Sequence, residues 1–496
     1  SLLLGIIAGV SYAFFTASIS GIETASTITM NATTIELTFT DGSPQISASN
    51  IVPGWSASKT FTVENTGNET AYYVLKVVDI TNTFTIDGSI SFEITGTNGG
   101  ATVSKQVLPT TDSEISSDIT IATGVTHTYT VTTYYNNLEV DQMDDLGKTF
   151  EYTITIEGLK GPRFKNMILT NNTVTTPLTT PGQEISTSSE AVLASTEDDY
   201  GTSYYFRGAV ENNYVVFAKM CWRIVRIDGQ GNIKLVLYNY NADKTNVTNP
   251  CLTTYDDTSA AFARYSGTTY TSAFNSSTNA NAYVGFMYGS TSTSATYANA
   301  HANTTKSTIL TNLETWYTNN LADYESDLAD VIWCNDKSLS SGTGTGTTTT
   351  YYGAYGRLIP ASSASPTLVC PNDANGGKLS KFTVDDTTYG NGALSKKIGL
   401  LTADEVAFAG AIYNSGNSTY YLYKNASSTS WWSLSPYYFV SSSVGEWFVN
   451  STGFLYNGSV VNSTGLRPTV SLKSTIAAST ESETNQGASS NPYYVD

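Results

Sequence analysis

Four cysteines, two histidines and a dense group of aromatic residues carry whatever chemistry this sequence holds. Cys221, Cys251, Cys334 and Cys370 stand too far apart for the close CxxC pairs of zinc or dithiol redox sites. An even count in a chain with a secretion-type leader points to two disulfides. Three connectivities are open, and the sequential one, Cys221–Cys251 with Cys334–Cys370, closes the shortest loops and is the expected one. Hydrolytic zinc needs about three protein ligands and a general base. His127 and His301 are the only histidines, they lie far apart, and there is no HExxH, so protease chemistry is rejected. No Ser/His/Asp, Cys/His or paired-carboxylate constellation emerges. The expectation is a protein that is not an enzyme and uses neither metal nor cofactor.

Three further features resemble sites. Ser341-Gly342-Thr343-Gly344-Thr345-Gly346 imitates a phosphate-binding loop but lacks the following Lys and the strand-to-helix setting, and reads as a surface loop. Trp333-Cys334-Asn335-Asp336, with Asn372, Asp373 and Asn375 nearby in the sequence, offers oxygen donors of the kind calcium takes. Trp431, Tyr437, Tyr438 and Trp447, with Trp432, form an aromatic cluster that could stack on sugar rings, although such residues more often fill a core.

The elements that must position these residues fall into two parts behind a leader. Leu2 to Val10 is an apolar run of signal-peptide length, too short by itself for a ~20-residue bilayer span. Small residues at Ser11 and Ala13 predict cleavage after Ala13, leaving a chain that begins Phe14-Phe15-Thr16. Residues 1–21 are therefore read as leader plus a candidate first strand. Residues 22–160 alternate apolar and polar positions between Gly, Asn and Pro turns, as in Thr33-Ile35-Leu37-Phe39 and Phe150-Tyr152-Ile154-Ile156, which predicts an antiparallel sandwich. Residues 161–203 include NNTVTTPLTTPGQEISTSS, a stretch too polar to offset the entropy of ordering it, and read as a linker. Residues 204–473 mix strands and helices: a hairpin turning at Asp228-Gly229-Gln230-Gly231, an amphipathic helix from Lys306 to Asn320, and a capping box at Thr402-Ala403-Asp404-Glu405. Residues 474–496 read as a polar tail.

Charge limits the partners. With 42 acidic against 24 basic residues the formal charge is −18, which argues against nucleic acid and anionic membrane surfaces. Charged residues make up only 13% of the chain, and its wealth of Thr, Ser, Asn, Gly and Tyr suits β-rich extracellular proteins. Membrane attachment is expected only through the N-terminal segment, if that segment stays uncleaved.

Two resemblances extend this reading. Gly9-Val10-Ser11-Tyr12-Ala13-Phe14-Phe15, Asn50-Ile51-Val52-Pro53-Gly54, Lys59 to Gly67 and Ala71-Tyr72-Tyr73 make roughly the first 160 residues similar to the TasA/camelysin family of secreted fibre-forming proteins of Gram-positive bacteria. That resemblance implies a jelly-roll subunit, trimmed on export, whose freed N-terminal strand (Phe14, Phe15 and on to Ile19) completes the sheet of a neighbouring copy. Strand addition of this kind satisfies an open sheet edge. Tyr205-Phe206-Arg207-Gly208, Cys221-Trp222-Arg223-Ile224, Ile398 to Val406, Trp432-Ser433-Leu434-Ser435-Pro436 and Gly465 to Leu472 resemble an uncharacterised Firmicutes surface module. More distantly they are similar to the C-type-lectin-like fold of formylglycine-generating enzymes. The reactive cysteines of those enzymes have no counterpart in Gly465-Leu466-Arg467-Pro468-Thr469-Val470. The expectation is thus an exported surface or matrix protein in two domains, a jelly-roll-like sandwich for assembly or anchoring and an α+β, lectin-like module with two disulfides that binds a neutral glycan or other surface ligand. The alternatives are a monomeric membrane-tethered binding protein and an enzyme built on the second module.

Overall fold

The structure is a computed structural model that describes residues 16–21, 26–30, 35–42, 46–49, 51–159, 161–243, 247–291, 296–479 and 487–495. It is mostly β-sheet, 38% strand against 13% helix, and divides into two compact units, residues 1–162 and 163–496.

The first unit has two sheets over one core. One runs Ile46–Ser49, Thr16–Gly21, Thr149–Leu159, Ala71–Asn82, Ser113–Ile121. The other runs Ser26–Met30, Ile35–Asp41, Ser56–Asn65, Thr126–Tyr135, Ile90–Thr97, Val103–Val107. Strand periodicity decides what is inside: along Thr126–Tyr135 every second residue is buried, which sends His127, Tyr129, Val131, Thr133 and Tyr135 inward. They meet Phe61, Tyr73, Phe92 and Tyr152, with Phe61 stacked on Tyr129 at 4.9 Å.

The N-terminal strand has partners within its own unit. Thr16–Gly21 lies in its own unit's sheet, parallel to Thr149–Leu159 with Ile19 opposite Tyr152, and antiparallel to Ile46–Ser49. Within one copy, the strand foreseen as a donor to a neighbour supplies partners to the backbone groups of Thr149–Leu159. The processing site at Ala13 and the strand residues Phe14 and Phe15 lie outside the described residues.

The second unit is built on two seven-stranded sheets. The first carries the expected hairpin, Met220–Ile227 with Ile233–Asn239, and both strands are buried throughout. The second is centred on Trp431–Val440. Helix Thr308–Asn320 starts where the Ser307 side chain accepts from the Leu310 N–H, and its stripe of Ile309, Leu313, Trp316 and Tyr317 packs into the core. The capping box forms at Thr402 and Glu405, opening helix Ala403–Ala409. Disulfides join Cys221 to Cys251 and Cys334 to Cys370.

Residues 161–203 are not a linker. They hold the helix Phe164–Asn171, whose Phe164, Met167 and Ile168 are buried, and the strand Ala191–Asp198, paired along its length with Gly201–Gly208. What orders the polar stretch between them is a buried carboxylate. Glu190 accepts from the N–H groups of Leu178 (2.8 Å) and Thr179 (3.2 Å) and from the Thr179 hydroxyl, and it pairs with Arg207 Nε at 3.1 Å. Side-chain-to-backbone bonding replaces the apolar burial that the composition lacks. The tail is likewise corrected: Tyr493–Val495 adds in parallel to Tyr214–Phe217, with Tyr493 and Val495 fully buried.

Candidate functional site

A bulged strand builds an open hollow in the second unit. Trp431–Val440 pairs with Ser443–Val449, but the register shifts on both sides of Pro436, which has no N–H to give the ladder. In a regular strand Tyr437 and Tyr438 would point to opposite faces; across this irregularity both line the same hollow. Tyr351, opposite Tyr438 on Thr350–Tyr352, and Tyr355, on the following helix Gly353–Leu358, supply two more walls, and Val440 and Asn457 complete it. The space measures about 300 Å³.

The rings stand against one another rather than in one plane. Tyr437 meets Tyr438 at 5.1 Å and 73°, and Tyr355 at 5.3 Å and 87°, while Tyr351 meets Tyr438 at 6.3 Å and 62°. Edge-to-face contacts of this kind stiffen the walls. Tyr438 lies over Gly445, where a Cβ would come within 3.1 Å of its ring, so a glycine is what lets the ring settle on the neighbouring strand. Tyr437 is the inner wall, and burial pushes its phenol far above the ordinary range.

The foreseen stacking residues therefore separate. Tyr437 and Tyr438 line the hollow, whereas Trp431 and Trp447 are 1% and 0% exposed and cannot touch a ligand. Trp447 backs Tyr437 at 4.8 Å, and Trp431 lies 4.9 Å from the buried Arg467 guanidinium. Sequence reasoning missed Tyr351 and Tyr355, which lie far back in the chain; the pair Tyr351-Tyr352 followed by Gly353-Ala354-Tyr355 was the available signal.

The densest charge in the unit lies elsewhere, below the Cys334–Cys370 disulfide. Arg226 pairs with Asp198 (2.7 Å) and Glu405 (3.0 Å), Lys234 with Glu405 (2.6 Å), Arg357 with Asp404 and Asp336 (2.8 Å each), and Lys381 with Asp199 (2.8 Å). Burial would raise the Glu405 carboxyl, but Lys234 and Arg226 outweigh it and hold it down at about 2. The cavity enclosed is about 30 Å³, room for roughly one or two waters and no substrate. These ion pairs tie strands to the capped helix.

The remaining candidates are committed inside the fold. His127 is buried with Nδ1 2.7 Å from the Tyr73 hydroxyl, and burial lowers it. His301 Nε2 stands 3.0 Å from the Gly344 carbonyl, and burial together with Lys337 lowers it well below the usual imidazole range. The Gly-rich run packs its carbonyls on Asn281 and His301 rather than presenting N–H groups to a phosphate. Of the oxygen donors considered for calcium, Asp373 accepts from three backbone N–H groups, Asn335 bonds Phe286 and Leu434, and Asp336 pairs with Arg357. Among the described residues no three His, Cys, Asp or Glu converge as a metal site.

No family model and no curated protein matches the chain. Among solved structures it is similar to AvmM, which catalyses macrocyclization in alchivemycin A biosynthesis, at 10% identity over 27% of this chain and 96% of that one, with a TM-score of 0.15. A likeness that slight carries no argument about fold or activity, so the resemblances drawn from the sequence rest on their motifs alone.

Proposed function

We propose that this is an exported, non-enzymatic surface protein of a Gram-positive bacterium, in which a TasA-like, jelly-roll sandwich anchors or assembles and a lectin-like second unit displays a ligand site. Two disulfides in a β-rich fold fit an oxidising, extracytoplasmic compartment. No helix among the described residues is long and apolar enough to cross a membrane. The observation that carries the proposal is the tyrosine hollow: four phenol rings and the Asn457 amide offer sugar C–H faces a surface to pack on and polar groups to bond hydroxyls. A neutral glycan fits best, since a chain of charge −18 repels anionic polymers.

The pairing of Thr16–Gly21 with its own sheet favours one variant of this reading, a monomeric, membrane-tethered binding protein, over a fibre subunit. Binding of the full chain to a panel of neutral polysaccharides tests the ligand assignment. Affinity should be insensitive to salt, because little of it rests on charge, and should fall at least tenfold in Tyr438→Ala at a temperature where the variant is fully folded. Equal binding by the wild type and Tyr438→Ala would remove the hollow as the site.

A further inference from the structure

Lys337 is buried at a cost that its surroundings do not offset. Its side chain is fully enclosed, and no carboxylate among the described residues forms an ion pair with it. Nζ donates instead to two neutral acceptors, the Met287 carbonyl at 3.0 Å and Asn303 Oδ1 at 2.9 Å, with the Phe382 ring 5.0 Å away. Asn303 is fixed from the other side, its Nδ2 donating to the Leu379 carbonyl at 3.3 Å and its backbone in the left-handed region at φ 56°. Burial brings the lysine down to about 7 against the opposing pull of Asp373 and Glu446. Asp373 is occupied by the N–H groups of Asn375, Gly377 and Leu379. Glu446 is different: it is buried, neither carboxylate oxygen has a hydrogen bond among the described residues, and burial raises it well above the carboxylate range although Lys337 opposes this.

A desolvated amine touching a carboxamide has the two reacting parts of an amide exchange. We propose that Lys337 and Asn303 join in an intramolecular isopeptide bond. The Nζ lone pair attacks Asn303 Cγ, a C–N bond forms, and the bond from Cγ to Nδ2 breaks. The proton that Nζ loses ends on the departing nitrogen, which leaves as ammonia. One amide replaces another, so no oxidant, reductant or co-reactant is needed. The contact with Oδ1 sets Nζ roughly 3–4 Å from Cγ, close to the separation of a near-attack arrangement. The product removes a buried cation that has no counter-ion and ties the pairing of Met287–Tyr288 with Thr305–Lys306 to the segment that follows Trp333–Cys334.

Mass spectrometry of the folded full chain, with its disulfides reduced, tests this. The expected intact mass falls short of the sequence by one ammonia, and proteolysis yields a branched peptide joining the segments around Asn303 and Lys337. Lys337→Met and Asn303→Ala should each restore the full mass. Recovery of Asn303 and Lys337 in separate, unmodified peptides of the wild type overturns the proposal, and that result needs no variant to fold. Loss of ammonia that persists in Lys337→Met also overturns it, since that marks cyclisation of Asn303 onto its own backbone.

Discussion

Replacing Glu190 with Ala tests whether residues 161–203 belong to the second unit. The substitution removes the one carboxylate that, among the described residues, pairs with the buried Arg207, together with the acceptor for the Leu178 and Thr179 N–H groups. Arg207 keeps neutral partners, the carbonyls of Ala407 (2.9 Å), Phe408 (3.1 Å) and Glu184 (2.9 Å) and the Thr179 hydroxyl (2.6 Å), which hold the guanidinium without neutralising it. Breaking a buried pair from one side costs about 3–5 kcal/mol, and the retained bonds place this case near 3. That lowers the melting temperature of the second unit by roughly 4 °C and leaves the first unit's transition unchanged. Glu190→Leu combined with Arg207→Met should recover most of the loss, because an apolar pair leaves no charge stranded. Calorimetry with urea titration reads both transitions. If Glu190→Ala unfolds within about 1 kcal/mol of the wild type, the segment is a dispensable linker and the reasoning fails.

Reduction of both disulfides should lower the second transition alone, by about 3 kcal/mol or more per bridge for loops of 30 and 36 residues, and scanning calorimetry with and without reductant checks it. Glu405 gives the second unit an acid limit: its folded carboxyl at about 2 lies below the ordinary 4.5, so its stabilisation is complete above pH ~4.5 and is lost as pH falls toward 2. Glu405→Gln should lower stability at neutral pH and flatten that part of the pH profile. Trp447→Ala, in the core behind Tyr437, should cost about 3–5 kcal/mol, whereas Tyr438→Ala should cost less than half of that, and urea midpoints separate the two. Deleting residues 14–21 should destabilise the first unit by opening the sheet between Thr149–Leu159 and Ile46–Ser49, and a peptide of that sequence added in trans should restore its midpoint. A deletion variant as stable as the parent would show that the strand does not belong to this sheet.

What could be read from the sequence was local. Period-2 alternation placed the inward residues of Thr126–Tyr135, the Thr402 and Glu405 pair marked a helix start, and the Asp228 to Gly231 turn marked the hairpin, because each pattern is set by neighbours a few residues apart. The ordering of residues 161–203 was hidden because it depends on a carboxylate and a guanidinium that only the fold brings together, and hydrophobicity does not count such bonds. The hollow was half hidden for a related reason. Alternation assigns Tyr437 and Tyr438 to opposite faces, so a strict strand would bury one and expose the other against different neighbours. Pro436 breaks the register on both sides, and the two rings turn into one space where Tyr351 and Tyr355 meet them. A proline inside an otherwise regular aromatic strand was thus the signal that this strand does more than pack: it gives up ladder hydrogen bonds to aim two consecutive side chains, and that cost is the physical argument for treating the hollow as a site.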